Sequence, residues 1–158
     1  MVLYTTPHIW LPSEPVTAAL LNAELRDPLT GAQAAWTSWA PTIANWTLGN
    51  GTISGAYFRT GKTFHYRFKF TFGSTTTPAG TLLFTVPLTP NASNNHPIGR
   101  ATINDSGAAF HPALGLNSNG THIYFIADGG TQIVNATNPM TWATGDTLSF
   151  SGAFESVY

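Results

Sequence analysis

Between Thr63 and Phe72 apolar rings and polar side chains alternate without a break. Phe64, Tyr66, Phe68, Phe70 and Phe72 share one parity. Thr63, His65, Arg67, Lys69 and Thr71 share the other. A period of two places the rings on one face of a half-buried strand and the polar set on its outer face. The stretch from Thr147 to Tyr158 repeats the scheme, with Leu148, Phe150, Phe154 and Tyr158 on one side. Shorter segments of the same kind run over 43–48, 52–59, 80–86, 99–104, 109–116, 121–127 and 132–134. Between them stand turn signals such as Asn50-Gly51, Thr60-Gly61-Lys62, Asp105-Ser106-Gly107 and Gly145-Asp146. Arg59 to Thr63 joins two strong strands and reads as a hairpin. About eight or nine short strands separated by regular turns predict an antiparallel β-sandwich or jelly roll over residues 41–158.

The first forty residues follow a different rule. Pro7, Pro12 and Pro15 hold the opening extended. Thr17 to Arg26 then reads as a short helix, with Thr17 as N-cap and Ala and Leu as good helix formers. Asp27 before Pro28 is expected to end it. Leu21 and Leu25 fall one turn apart, with Leu20 beside them. About ten residues cannot hold a helix alone in water, so this one must pack on the β domain or on copies of itself. The segment 1–40 therefore reads as an attachment or trimerisation element. Leu20, Leu21, Leu25, Trp36 and Trp39 are its candidate oligomer contacts. Thr30 to Trp39 reads as a connector of small residues.

Composition narrows the function classes. Charged residues make up 8% of the 158, against about a quarter in an ordinary domain, so the polar faces are built from Thr, Ser, Asn and Gly instead. Six Lys and Arg scattered along a chain of net charge −1 give no basic footprint for phosphate backbones, so no nucleic-acid partner is expected, nor an anionic membrane surface. No stretch nears the roughly 20 apolar residues of a membrane span. Met1 to Trp10 lacks the basic start and apolar centre of a secretory leader. Without such a leader, the Asn-X-Ser/Thr sequences at Asn45, Asn50, Asn91, Asn104, Asn119 and Asn135 read as chance in an Asn- and Thr-rich chain. The absence of cysteine excludes disulfides and thiolate metal sites.

Catalytic constellations are hard to assemble. A glycosidase needs two carboxylates facing one bond. Glu14, Glu24 and Asp27 sit in the N-terminal segment, Asp105, Asp128 and Asp146 in turns, and Glu155 on the outer face of the last strand. No nucleophile elbow is present, and His8, His65, His96, His111 and His122 show no metal-ligand spacing. Thr60-Gly61-Lys62-Thr63 ends like a phosphate loop, but the preceding glycine spacing of such a loop is absent, and a hairpin turn explains the sequence better. The expectation is a protein with no catalytic site, no metal and no cofactor.

Binding is the remaining class. Trp46, Tyr57 and Trp142 lie near turns in an amide- and hydroxyl-rich setting, which fits sugar stacking, while closure of the sandwich core is the commoner role of a ring at a strand end. The proline-bounded loop 87–97 carries Asn94, Asn95 and His96 and reads as an exposed recognition loop. These six residues are the candidate receptor or glycan contacts. They are expected at one end of the sandwich, using rings and amides rather than charge. Arg67 and Lys69, on the polar face of the best strand, read as solvated or as facing an acid on a neighbouring subunit.

The N-terminal run Trp10, Val16-Thr17-Ala18-Ala19-Leu20-Leu21-Asn22 and Leu25-Arg26-Asp27 resembles the opening of tailed-bacteriophage minor tail and fibre-like proteins. The later marks are Trp46, Gly49-Asn50-Gly51-Thr52, Gly55-Ala56-Tyr57, Arg59 with Gly61, Trp142 to Leu148, Glu155 and Tyr158. They are similar to the β domain of the same proteins. The resemblance implies a virion protein, commonly a homotrimer, whose N-terminal segment attaches to other virion proteins. The β domain would then be exposed as a tail-tip, spike or fibre-type subunit able to meet host cell-surface carbohydrate. The chain lacks a fibrous shaft. A capsid decoration protein of similar build and a free carbohydrate-binding module are the alternatives.

Overall fold

The computed structural model describes residues 8–33, 35–127, 129 and 132–157. The expected extended opening at Pro7, Asp128 and Gly130 of one turn, and the closing Tyr158 lie outside them. Among the described residues ten strands form one antiparallel sheet. They are β1 (Thr37–Trp39), β2 (Ile43–Ala44), β3 (Thr52–Thr60), β4 (Thr63–Thr71) and β5 (Leu83–Thr85), then β6 (Pro97–Asp105), β7 (Ala109–Asn117), β8 (His122–Ala127), β9 (Gln132–Ile133) and β10 (Thr147–Glu155). Their order across the sheet is β1-β3-β4-β10-β6-β7-β8-β5-β2, with β9 beside β8.

This sheet is curled, not flat. Phe68 of β4 meets Phe84 of β5 with centroids 4.8 Å apart, and Phe125 of β8 at 6.5 Å, although five positions separate β4 from β5 in the strand order. The two edge strands are joined by Ala40, Pro41 and Thr42 alone. Those four Cα steps span at most about 14 Å, so the edges face each other across little more than one sheet-to-sheet spacing. The result is a curled, β-sandwich-like fold.

The alternation in β4 has the predicted sense. Phe64, Tyr66, Phe68 and Phe70 are buried, while Arg67 and Lys69 are exposed. Leu148, Phe150 and Phe154 of β10 lie against them, in register with Phe70, Phe68 and Phe64. The expected hairpin is present: Thr60 pairs Thr63 around Gly61 and Lys62, and Gly61 takes the left-handed φ of 58° that its missing Cβ permits. At the opposite end Asp146 is buried by capping its own turn: its carboxylate accepts from the Ser106 and Ala143 amides.

Two sequence-based boundaries are corrected. Thr17 caps α1 (Ala18–Leu21) as expected, its Oγ1 accepting from the Leu20 amide. The helical path does not stop at Asp27, however. It passes through a π-helical turn, Asn22–Arg26, into α2 (Asp27–Ala32). The Asp27 amide donates to the carbonyl of Asn22, five residues back, and this wider turn carries the chain past Pro28, which has no N–H to give. The connector from Thr30 to Trp39 also contains structure: α2 takes its start, and Thr37–Trp39 adds β1 to β3. A domain boundary at residue 40 thus cuts off a strand of the sheet.

Candidate functional site

The outer face of β3, β4, β10 and β6 holds an open groove of about 680 Å³. Strand register lays its side chains out in two rows. One row reads Ala56, Arg67, Ser151, Arg100; the next reads Ser54, Lys69, Ser149, Thr102. All eight belong to the groove lining. Arg67 and Lys69 stand two residues apart on β4, about 7 Å along the strand, and Arg100 stands two strands away, about 10 Å at the backbone. Three of the six basic residues of the chain therefore share one face. Among the described residues the ion pairs are His8–Glu14 and Arg26–Asp27, so none of the three groove cations has a carboxylate partner.

One wall of the groove is ordered by aromatic contacts. The Arg67 guanidinium carbon lies 4.6 Å from the centroid of the Trp36 ring. Trp36 packs edge-on against Phe58 at 4.7 Å, and Phe58 stacks flat on His65 at 4.6 Å. Trp36 is thus held on its own chain's outer sheet face, while part of it stays exposed.

A second feature is the N-terminal segment. Ile9, Trp10, Leu11, Val16, Leu21, Leu25 and Leu29 are seven of the twelve large apolar residues exposed among the described residues, and Leu25 and Leu29 are 58% and 62% exposed. The segment ties itself together with polar contacts: Glu14 accepts from the Leu11 amide, pairs with the His8 ring at 2.8 Å, and Glu24 accepts from the His8 amide. It meets the β domain through α2 against β3.

The six candidate receptor contacts do not converge. Trp46 and Trp142 are 5% and 6% exposed and meet edge to face in the core, centroids 5.4 Å apart. Their indole N–H groups donate to the carbonyls of Gly80 and Asn135, so each ring is fixed at both its apolar body and its polar tip. Tyr57 is half-buried and faces inward on Phe64 at 5.0 Å. Asn94, Asn95 and His96 are exposed as expected, and Asn95 accepts from the Tyr124 hydroxyl. They precede β6 at the end of the sandwich where β4 begins, whereas Trp46 and Trp142 pack on Phe72 at the end where β4 finishes. Ring-and-amide recognition at one end is therefore corrected: the two tryptophans lack exposed faces, and the amide loop lies at the opposite end.

The candidate oligomer contacts divide as well. Leu21 and Leu25 are exposed and Leu20 is half-buried. Trp39 is half-buried and packs against the core of its own chain, its ring 6.4 Å from Tyr66 and 6.2 Å from Phe68. The groove cations were visible in the sequence as Arg67 and Lys69, but Arg100 was missed, because nothing in a linear reading pairs β6 with β10. Among the described residues no three His, Asp or Glu side chains gather in a metal-ligating group, and no helix is long and apolar enough to cross a membrane. Comparison with protein families, curated proteins and solved structures finds no match to this chain.

Proposed function

We propose that this chain is a structural virion subunit of a tailed bacteriophage, a tail-tip, spike or fibre-type protein that assembles through its N-terminal segment and presents its β domain to the host surface. The observation that carries the assembly part is the apolar face of that segment. A helical arm leaving Leu21, Leu25 and Leu29 in water beside Ile9, Trp10, Leu11 and Val16 is stabilised once copies or neighbours cover it. The phage assignment is supported by the sequence run from Trp10 to Asp27 and its resemblance to minor tail and fibre-like proteins. Three copies of the arm packing together would give a homotrimer with three outward sheets, and weak contacts on each sheet would add through effective concentration.

Light scattering on the full chain and on a chain beginning at Ala35 tests the assembly. That cut keeps β1 and Trp39, so the sandwich stays whole. The full chain is expected to run as a trimer, and the shortened chain as a folded monomer. Leu25→Glu should shift the full chain toward monomer. A monomeric full chain at high concentration overturns the assembly reading. Mass spectrometry of purified virions carrying the gene tests the location, and absence of the chain from the particles overturns it.

A further inference from the structure

The outer groove is charged in a way the rest of the chain is not. Its cations are half of the chain's basic residues, they share one strand register, and no carboxylate pairs with them among the described residues. Between Arg67 and Arg100 stands Ser151, and between Lys69 and Thr102 stands Ser149. Like charges brought together on one face cost free energy unless something negative comes to that face.

We propose that this groove binds an acidic glycan, with its anionic groups on Arg67, Arg100 and Lys69 and its hydroxyls on Ser149, Ser151 and Ser54. The proposal names the ligand face of the virion-subunit reading and rests on it for the source of the glycan. Two guanidinium groups about 10 Å apart at the backbone suit anionic groups on separated sugar units, and planar guanidinium takes carboxylate, sulfate or phosphate in paired hydrogen bonds. The Ser and Thr hydroxyls of the rows donate and accept, as sugar hydroxyls do.

Other ligand classes fit less well. Single-stranded nucleic acid needs a succession of free aromatic faces for its bases, and the two rows of the groove carry no ring. A peptide needs apolar anchors, and the largest apolar side chain in the two rows is that of Ala56. The acids of a second copy's arm are already used, Glu14 by the His8 ring, Glu24 by the His8 amide and Asp27 by Arg26. Trp36 has a different part: by stacking on Arg67 it holds the guanidinium over the groove as a positioning residue.

The test titrates the full chain with oligogalacturonate, with dextran sulfate, with a neutral malto-oligosaccharide and with oligo-dT, followed by calorimetry and by amide shifts. At about 20 mM salt one or both acidic glycans should bind, shifting amides of β4, β10 and β6, and about 300 mM salt should largely abolish it. Arg100→Gln and Lys69→Gln lie on exposed positions and should each weaken binding about tenfold with unchanged melting. Neutral glycan binding as strongly as acidic, unaffected by Arg100→Gln, overturns the groove and leaves the glycan reading standing. No saccharide bound at all overturns both. Tighter binding of oligo-dT with the same variant sensitivity reassigns the groove to nucleic acid and overturns the proposal.

Discussion

The ring of Phe150 lies so close over Gly115 that a Cβ on that glycine would sit 2.4 Å from its Cε2 atom. Gly115, Gly99 and Gly152 form one row across β7, β6 and β10, and a Cβ at Gly99 would likewise fall 2.4 Å from the Phe150 Cζ. The neighbouring row holds Ala101 and Ala113 beside Phe150. Small residues on β6 and β7 thus clear the space for one large ring. The ring in turn packs on Phe68 at 5.3 Å and Phe125 at 5.6 Å, which belong to the two layers.

Gly115→Ala should therefore destabilise the fold by about 1–3 kcal/mol, the usual cost of overpacking a filled core. The same substitution in a Phe150→Leu background should cost less, because the shorter side chain vacates the contested volume. Urea unfolding of the parent, both single variants and the double variant reads the difference. An equal cost of Gly115→Ala in the two backgrounds would show that it is not set by the ring.

Trp142→Ala should cost about 3–5 kcal/mol, as expected for removing a buried aromatic. It loses edge and stacking contacts with Trp46 and Phe72 and leaves the Asn135 carbonyl without its indole donor. Trp142→Phe should cost less. If glycan binding is measured below the melting transition, Trp142→Phe should leave it unchanged, since the ring is buried in the core and does not line the outer groove. A stable Trp142→Ala protein with weakened binding would restore Trp142 as a contact residue.

These two cases show what the linear pattern carried. Alternation in β4 and β10 announced both the strand and the inward face, because a period of two has one structural meaning when a single face is buried. Eight of the nine strand segments read from 41–158 differ from the structure chiefly in length, and 43–48 shrinks to a two-residue β2. What the pattern did not carry was depth. Trp46 and Trp142 flank turns, but both turns fold back over the end of the core, and only strand order reveals that. The groove was hidden for a similar reason: Arg67 and Arg100 become neighbours through β10, which closes the sheet from the far end of the chain. β1 was missed because three residues show no periodicity.

Tyr66 carries a hydroxyl that has no hydrogen-bond partner in the core among the described residues. Burial pushes its phenol up, well beyond the ordinary tyrosine range, and so favours its neutral form. An unpaired buried hydroxyl costs free energy, about 1–3 kcal/mol against the same site without it. Tyr66→Phe keeps the ring contacts to Trp39, Phe150 and Phe154 and removes only the oxygen. The variant should be at least as stable as the parent, with a midpoint of urea unfolding that is unchanged or higher. A clear loss of stability would mean that the oxygen has a partner in solution, such as a bound water.

The arm should respond to acid separately from the sandwich. Glu14 is held below the usual glutamate range, first by its hydrogen bond with the His8 side chain and next by the Leu11 amide that donates to it. Its folded value lies below its unfolded value. The stabilising contribution is therefore complete above the ordinary glutamate range and is lost as pH falls through the lowered folded value. Both partners lie in the arm, so the loss should loosen the turn at Leu11 without unfolding the β domain. In an amide-detected pH titration, the Leu11 signal should move with a midpoint below that of an unstructured glutamate peptide, while signals of β4 and β10 stay in place over the same range. Glu14→Gln retains an oxygen for the Leu11 amide but removes the charge, so it should flatten that titration. A Leu11 transition at the ordinary glutamate value, or one shared with the sandwich amides, would show that the Glu14 contacts do not set the arm's response.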